Sequence, residues 1–146
     1  FSNTANNFFI TGVQMEVGPV ATEFEQEDFG VTLRKCQRYF QSYGGDGAFE
    51  RFGTGYNNSN TVARTSINSP VQTRAVPTIS VSDVAHFAVT ADNANTQCTA
   101  IIAHNMSRNI ITLQSTVGST ALASGEGIQL MANNSTAARL LVDAEL

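Results

Sequence analysis

The sequence predicts an all-β, antiparallel domain with one short helix, and three observations carry that prediction. Short segments rich in β-branched and aromatic residues recur along most of the chain. Their spacing is close to the about 8–12 residues expected of a sandwich or barrel. Turn-forming strings fill the gaps: Asn68-Ser69-Pro70, Asp92-Asn93, Gly118-Ser119 and Ser124-Gly125-Glu126-Gly127. With 146 residues the chain suffices for one such domain, burying roughly 68–70% of its unfolded surface.

Residues 8–16 read as the first strand, ended by Val17-Gly18-Pro19. Phe8, Phe9, Ile10, Val13 and Met15 fall on both of its faces. A sheet with one solvated face would leave that apolar area exposed, which marks these five residues as a candidate oligomer interface. Asp28 suits an N-cap, and the apolar offsets that follow predict a helix over residues 29–36. A strand over residues 37–41 comes next. The glycine-rich stretch 43–60 is then the longest irregular piece, and loops of that kind carry contacts. Further strands are expected at residues 63–67, 78–82, 86–90, 98–103, 110–113, 127–132 and 138–142. In the second of these, Ile79 and Val81 share one face and the hydroxyls take the other.

Charged residues make up 14% of the chain, well below the usual ~25%. Hydration therefore falls to neutral polar groups, in runs such as Asn57-Asn58-Ser59-Asn60-Thr61. The net charge is −4 with scattered cations, which argues against nucleic acid as a partner. No apolar run approaches the ~20 residues of a membrane span, and the N-terminus lacks the order of a signal peptide. Membrane insertion is not expected. The chain opens at Phe1 with strand-like sequence arriving at once, so it reads as the end of a longer polypeptide. Cys36 and Cys98 are too few for a disulfide framework and read as two buried, unbonded thiols.

No motif points to catalysis. His86 and His104 lie on or beside candidate strands without a second ligand at zinc spacing. There is no nucleophile elbow or phosphate-binding loop. Asp46, Glu50, Asp92 and Glu126 lie near loops, but no spacing favours any pair for glycoside hydrolysis. No catalytic residue, cofactor or metal site is assigned. What remains is binding. Tyr43, Phe49, Phe52 and Tyr56, interleaved with Asp46, Arg51, Asn57 and Asn58, suit a shallow aromatic and amide surface for sugars. Rings cover the apolar faces of a sugar and amides read its hydroxyls. Packing of the same aromatics beneath a long loop is the plainer reading of them.

The stretch from Phe9 to Glu25, with Thr11-Gly12-Val13-Gln14-Met15-Glu16-Val17-Gly18 within it, is followed by Cys36-Gln37-Arg38-Tyr39-Phe40. Together they resemble a motif that recurs in virion proteins of tailed bacteriophages and prophages. Two further strings fit that resemblance. Thr73-Arg74-Ala75-Val76-Pro77-Thr78 is similar to a Met-Arg-x-x-Pro-Thr segment, with Thr73 in place of Met, and Asp143-Ala144-Glu145-Leu146 is similar to the family's C-terminus.

The resemblance implies an antiparallel, jelly-roll-like β-sandwich. It assigns residues 1–25 to the terminal strand and linker of a preceding jelly-roll-like domain and residues 26–146 to a C-terminal sandwich. It implies a homotrimer, other virion proteins as partners, and a place on a virion assembled in the bacterial cytoplasm, where both thiols stay reduced. The function expected is a tail fibre or spike tip that binds a host surface glycan. A purely structural capsid or tail decoration protein and a glycan depolymerase fragment are the alternatives.

Overall fold

The computed structural model describes residues 10–20, 22–24, 26–91, 94–119 and 121–145. Its first regular element is α1 (Phe29–Gln37), which starts where Asp28 caps it by accepting the Gly30 N–H at 2.8 Å. The predicted helix is therefore present, one residue longer than expected. Among the described residues nine strands follow: β1 (Phe40–Tyr43), β2 (Arg51–Asn57), β3 (Val62–Asn68), β4 (Thr78–Val81), β5 (Phe87–Ala91), β6 (Ala94–Ala103), β7 (Ile110–Val117), β8 (Gly127–Ala132) and β9 (Leu140–Asp143). A 3₁₀ turn, Val84–His86, precedes β5.

The strands are antiparallel throughout, but they do not form the expected sandwich. Six close into a barrel in the order β2-β3-β7-β6-β5-β8, and three make a separate sheet, β1-β9-β4. The reason lies in β2. Residues 51–57 belong to the stretch expected to be a loop, because glycine there reads as a turn former. Instead Gly53 and Gly55 occupy inward positions of a strand, opposite Leu130 and Ile128 of β8. A Cβ on Gly55 would sit 1.8 Å from the Arg64 carbonyl oxygen, and one on Gly53 would sit 2.7 Å from that of Ser66. Glycine thus lets β2 and β3 approach closely enough to turn a barrel corner. A bulge between Arg51 and Gly53 adds to the bend.

β7 shows how an alternating sequence serves closure. Ile111, Leu113, Ser115 and Val117 are buried, and Thr112, Gln114 and Thr116 take the outer wall. Phe52 and Phe87 meet inside at a ring-centroid distance of 5.1 Å, tilted by 43°. Leu140 and Val142 of β9 join the same apolar cluster, with Ile79 and Val81 of β4 packed against it. One core therefore serves both the barrel and the open sheet, and each fully buried Leu or Phe contributes roughly 1.5–3 kcal/mol.

Among the described residues 10–16 the first predicted strand does not form. Phe8 and Phe9 lie outside the described residues, and residues 10–17 form no ladder with any strand. A strand needs a partner for its backbone groups, and Gly12 at φ +69° interrupts the extension. The segment instead folds on itself: Glu16 accepts both the N–H and the hydroxyl of Thr22, at 2.5 and 2.6 Å. These bonds hold the Glu16 carboxyl below the usual range. Every described residue from 10 to 24 is exposed, and so is all of α1 except the half-buried Gln37.

Gly55→Ala is expected to lower stability by roughly 3 kcal/mol, because the added carbon meets backbone that cannot yield. Gly47→Ala, where a Cβ meets nothing within 4 Å, is expected to be neutral or slightly stabilising. Denaturant midpoints of the two variants check this, and equal effects would remove the corner argument.

Candidate functional site

The barrel register aligns six outward side chains in one row across the strands. Thr112 of β7 lies opposite Ser66 of β3, which lies opposite Thr54 of β2. Thr54 faces Gln129 of β8, Gln129 faces Thr90 of β5, and Thr90 faces Asn95 of β6. Every member carries a hydroxyl or an amide. The Thr90 hydroxyl meets Asn95 Oδ1 at 2.5 Å, and Arg51 donates to Gln129 Oε1.

Within this row the wall is hollowed. Thr54, Gly55, Thr90, Gly127, Ile128 and Gln129 line a shallow depression of about 390 Å³. Its floor is low because Gly127 has no side chain. Gly127 is also the cross-strand partner of Tyr56, whose ring is about half exposed at the rim. Two threonine hydroxyls and a glutamine amide thus line the depression over a backbone floor, and Tyr56 and Arg51 neighbour it as the partners of Gly127 and Gln129. This chemistry suits a neutral, hydroxyl-rich ligand, since rings cover apolar faces while amides and hydroxyls both donate and accept.

The residues expected to form a sugar surface are dispersed over four settings. Arg51 and Tyr56 reach the outer wall beside the depression. Phe52 is in the core and Asn57 is 1% exposed at the barrel end, its Nδ2 donating to Glu126 Oε2 at 3.4 Å. Those two are corrected: strand alternation and the bulge turn them inward. Tyr43 belongs to the open sheet, where its hydroxyl donates to Gln41 Oε1 at 2.6 Å and burial raises its pKa. Asp46 and Asn58 are exposed but belong to the connections flanking β2, and Asp46 donates its N–H to Glu50 Oε2 at 3.0 Å. Thr54, Thr90 and Gln129 were not singled out in the sequence, because only the β2-β8-β5 pairing brings them together.

Other candidate chemistry is dispersed. Asp92 lies outside the described residues. His86 belongs to the 3₁₀ turn rather than to a strand, and its Nδ1 meets the Ser82 hydroxyl at 3.3 Å. That hydroxyl also accepts the Arg139 N–H at 3.1 Å, tying the turn to the residue before β9. Among the described residues no group of three or more His, Cys, Asp or Glu side chains gathers to hold a metal ion.

The two cysteines are free, yet only Cys98 is buried and Cys36 is exposed on α1. The latter corrects the expectation of two buried thiols, since α1 has no core to enter. Burial pushes the Cys98 thiol up to about 12, with the neighbouring Ser115 hydroxyl acting weakly in the opposite sense. Nearby inside the barrel, Asn57 Oδ1, Thr65 Oγ1 and Ser115 Oγ have no oxygen or nitrogen partner among the described residues.

No family model, curated protein or solved structure matches the chain.

Two outcomes follow from these interior groups. At pH 8, in native protein dilute enough to be single chains, a thiol reagent is expected to label Cys36 fully and Cys98 not at all, as read by mass; rapid labelling of both would contradict the burial of Cys98. Thr65→Val removes an unpartnered buried hydroxyl and is expected to raise stability by about 1 kcal/mol. A fall in the unfolding midpoint would mean that the hydroxyl is satisfied.

Proposed function

We propose that this chain is the C-terminal domain of a tail fibre or spike of a tailed bacteriophage, present in three copies and binding a host surface glycan. The reading begins from the resemblance to virion proteins, whose strings lie at the start, middle and end of the chain. The observation that carries it furthest is the distribution of apolar surface. Eleven of the sixteen exposed large hydrophobic residues among those described fall in residues 10–40. Exposed apolar area so concentrated marks a surface that another chain covers.

The barrel wall supports the binding half of the proposal. Its depression offers hydroxyls and an amide, with the Arg51 guanidinium and the exposed Tyr56 ring on neighbouring positions, the kinds of group that read a saccharide. Three copies of a shallow site raise apparent affinity by avidity without any new contact. A charge-poor wall also suits a neutral polysaccharide better than an anionic polymer.

The test combines assembly and adsorption. Sedimentation at micromolar concentration is expected to give three times the chain mass. Labelled protein is expected to adsorb to host cells and to their purified surface polysaccharide. Tyr56→Ala and Gln129→Ala are each expected to weaken adsorption about tenfold or more, in line with 1–3 kcal/mol for a lost stacking or hydrogen-bonding group. Asp46→Ala and Asn58→Ala, away from the depression, should leave it unchanged. A well-folded monomer, or adsorption indifferent to Tyr56 and Gln129, would overturn the corresponding half.

A further inference from the structure

Helix α1 poses a physical problem that the single chain does not solve. It has nine residues and buries none of them, whereas isolated helices shorter than about 12–15 residues are marginal in water. Tertiary packing of an apolar face is what normally sustains such a helix. Phe29, Leu33 and Cys36 stand at i, i+4 and i+7, so they form one strip, and all three are exposed. The preceding segment does not cover α1 tightly. A hollow of about 710 Å³ lies there, lined by Val13 and Phe24 on one side and Thr32 and Lys35 on the other.

The spacing of the strip is that of a helix-on-helix seam, in which side chains four and three apart insert between those of a partner helix. The other side carries Arg34 and Lys35 of α1 and its C-cap Arg38, around the exposed Val31, so the strip is the continuous apolar face and the opposite side is mostly basic. Lys35 pairs with Glu27 of its own chain. Arg34 and Arg38 have no acidic partner among the described residues, and Glu23 has no basic one. A second copy supplies what this segment needs: an identical apolar strip for the seam and complementary charges at its flank.

We propose that copies of this chain associate through α1, with Phe29, Leu33 and Cys36 packed against the same residues of neighbouring copies around the assembly axis. The inference rests on the multimeric reading above and specifies the surface responsible. It also places Cys36 thiols of different copies next to one another.

That juxtaposition supplies the experiment. Assembled wild-type protein at micromolar concentration is treated with copper phenanthroline, which accepts the two electrons released as two thiols join. Denaturing electrophoresis is expected to show covalent dimers and no covalent trimers, because only two of three Cys36 thiols can pair at once. Cys36→Ser should abolish the band, since Cys98 is buried. Leu33→Glu is expected to shift the dissociation midpoint by at least tenfold in concentration. It should leave the thermal unfolding of the barrel unchanged, because α1 contributes nothing to the core. If wild type assembles but forms no Cys36 cross-link, and Leu33→Glu assembles equally well, the seam is refuted while assembly stands. If wild type sediments as a monomer throughout, both fail.

Discussion

The close approach of β2 to β3 is the constraint from which the rest of the structure follows. With Gly55 and Gly53 facing the Arg64 and Ser66 carbonyls, the two strands pack more tightly than any side chain at those positions would permit. The corner so made lets β2 pair on its other side with β8, and that pairing completes the barrel. Closure satisfies the backbone groups of six strands without leaving edges. It also fixes which side chains look outward. Thr54 of β2 takes its place between Ser66 and Gln129 because Gly53 and Gly55 on either side of it face in.

The open sheet depends on different devices. β1 and β4 are its edges, and each is four residues long, short enough to offer little template for further pairing. The buried Gln41 of β1 bonds outward, donating to the Gln37 carbonyl at 2.9 Å, the Ser69 hydroxyl at 2.8 Å and the Val71 carbonyl at 3.1 Å. Arg74 adds its N–H to the Arg38 carbonyl at 2.7 Å. The segment around residues 69–74 is thereby drawn along this edge. Polar side chains do here what closure does for the barrel: they satisfy backbone that would otherwise wait for another chain. Among the described residues nothing comparable covers α1 or residues 10–20 and 22–24, and the exposed apolar surface gathers there.

The sequence announced those elements whose pattern is local. The Asp28 cap and the offsets after it define α1, and alternation places β3, β4, β5, β7 and β8 within a few residues of where they occur. β2 was invisible for a physical reason. Its two central inward positions, Gly53 and Gly55, are glycines, so the alternation that reveals a strand is replaced by residues that ordinarily signal a turn. Residues 8–16 failed in the opposite sense. They have strand-like composition, yet β propensity describes fit to a sheet, and the described part of the segment has no sheet to join. The site was half legible. Arg51 and Tyr56 were visible as polar and aromatic residues in one stretch, but Phe52 and Asn57 between and beyond them point inward by alternation and the bulge. Thr90 and Gln129 come from strands distant in sequence, so no local pattern relates them to Tyr56.

The distribution of polarity links fold and proposed function. The outer row contains threonine, serine, asparagine and glutamine but no charge, and Arg51 is already engaged by Gln129. Such a wall hydrates the protein without creating a field. The proposed recognition on it would rest on short-range hydrogen bonds and ring contact and would be nearly insensitive to salt, because screening acts on charges. It is also weak per site, since each neutral hydrogen bond exchanged with water contributes only about 0.5–1.5 kcal/mol. Useful attachment from a surface of this kind therefore requires several copies acting together. On this reading, the apolar segment that joins the copies and the neutral wall that each presents are two parts of one binding device.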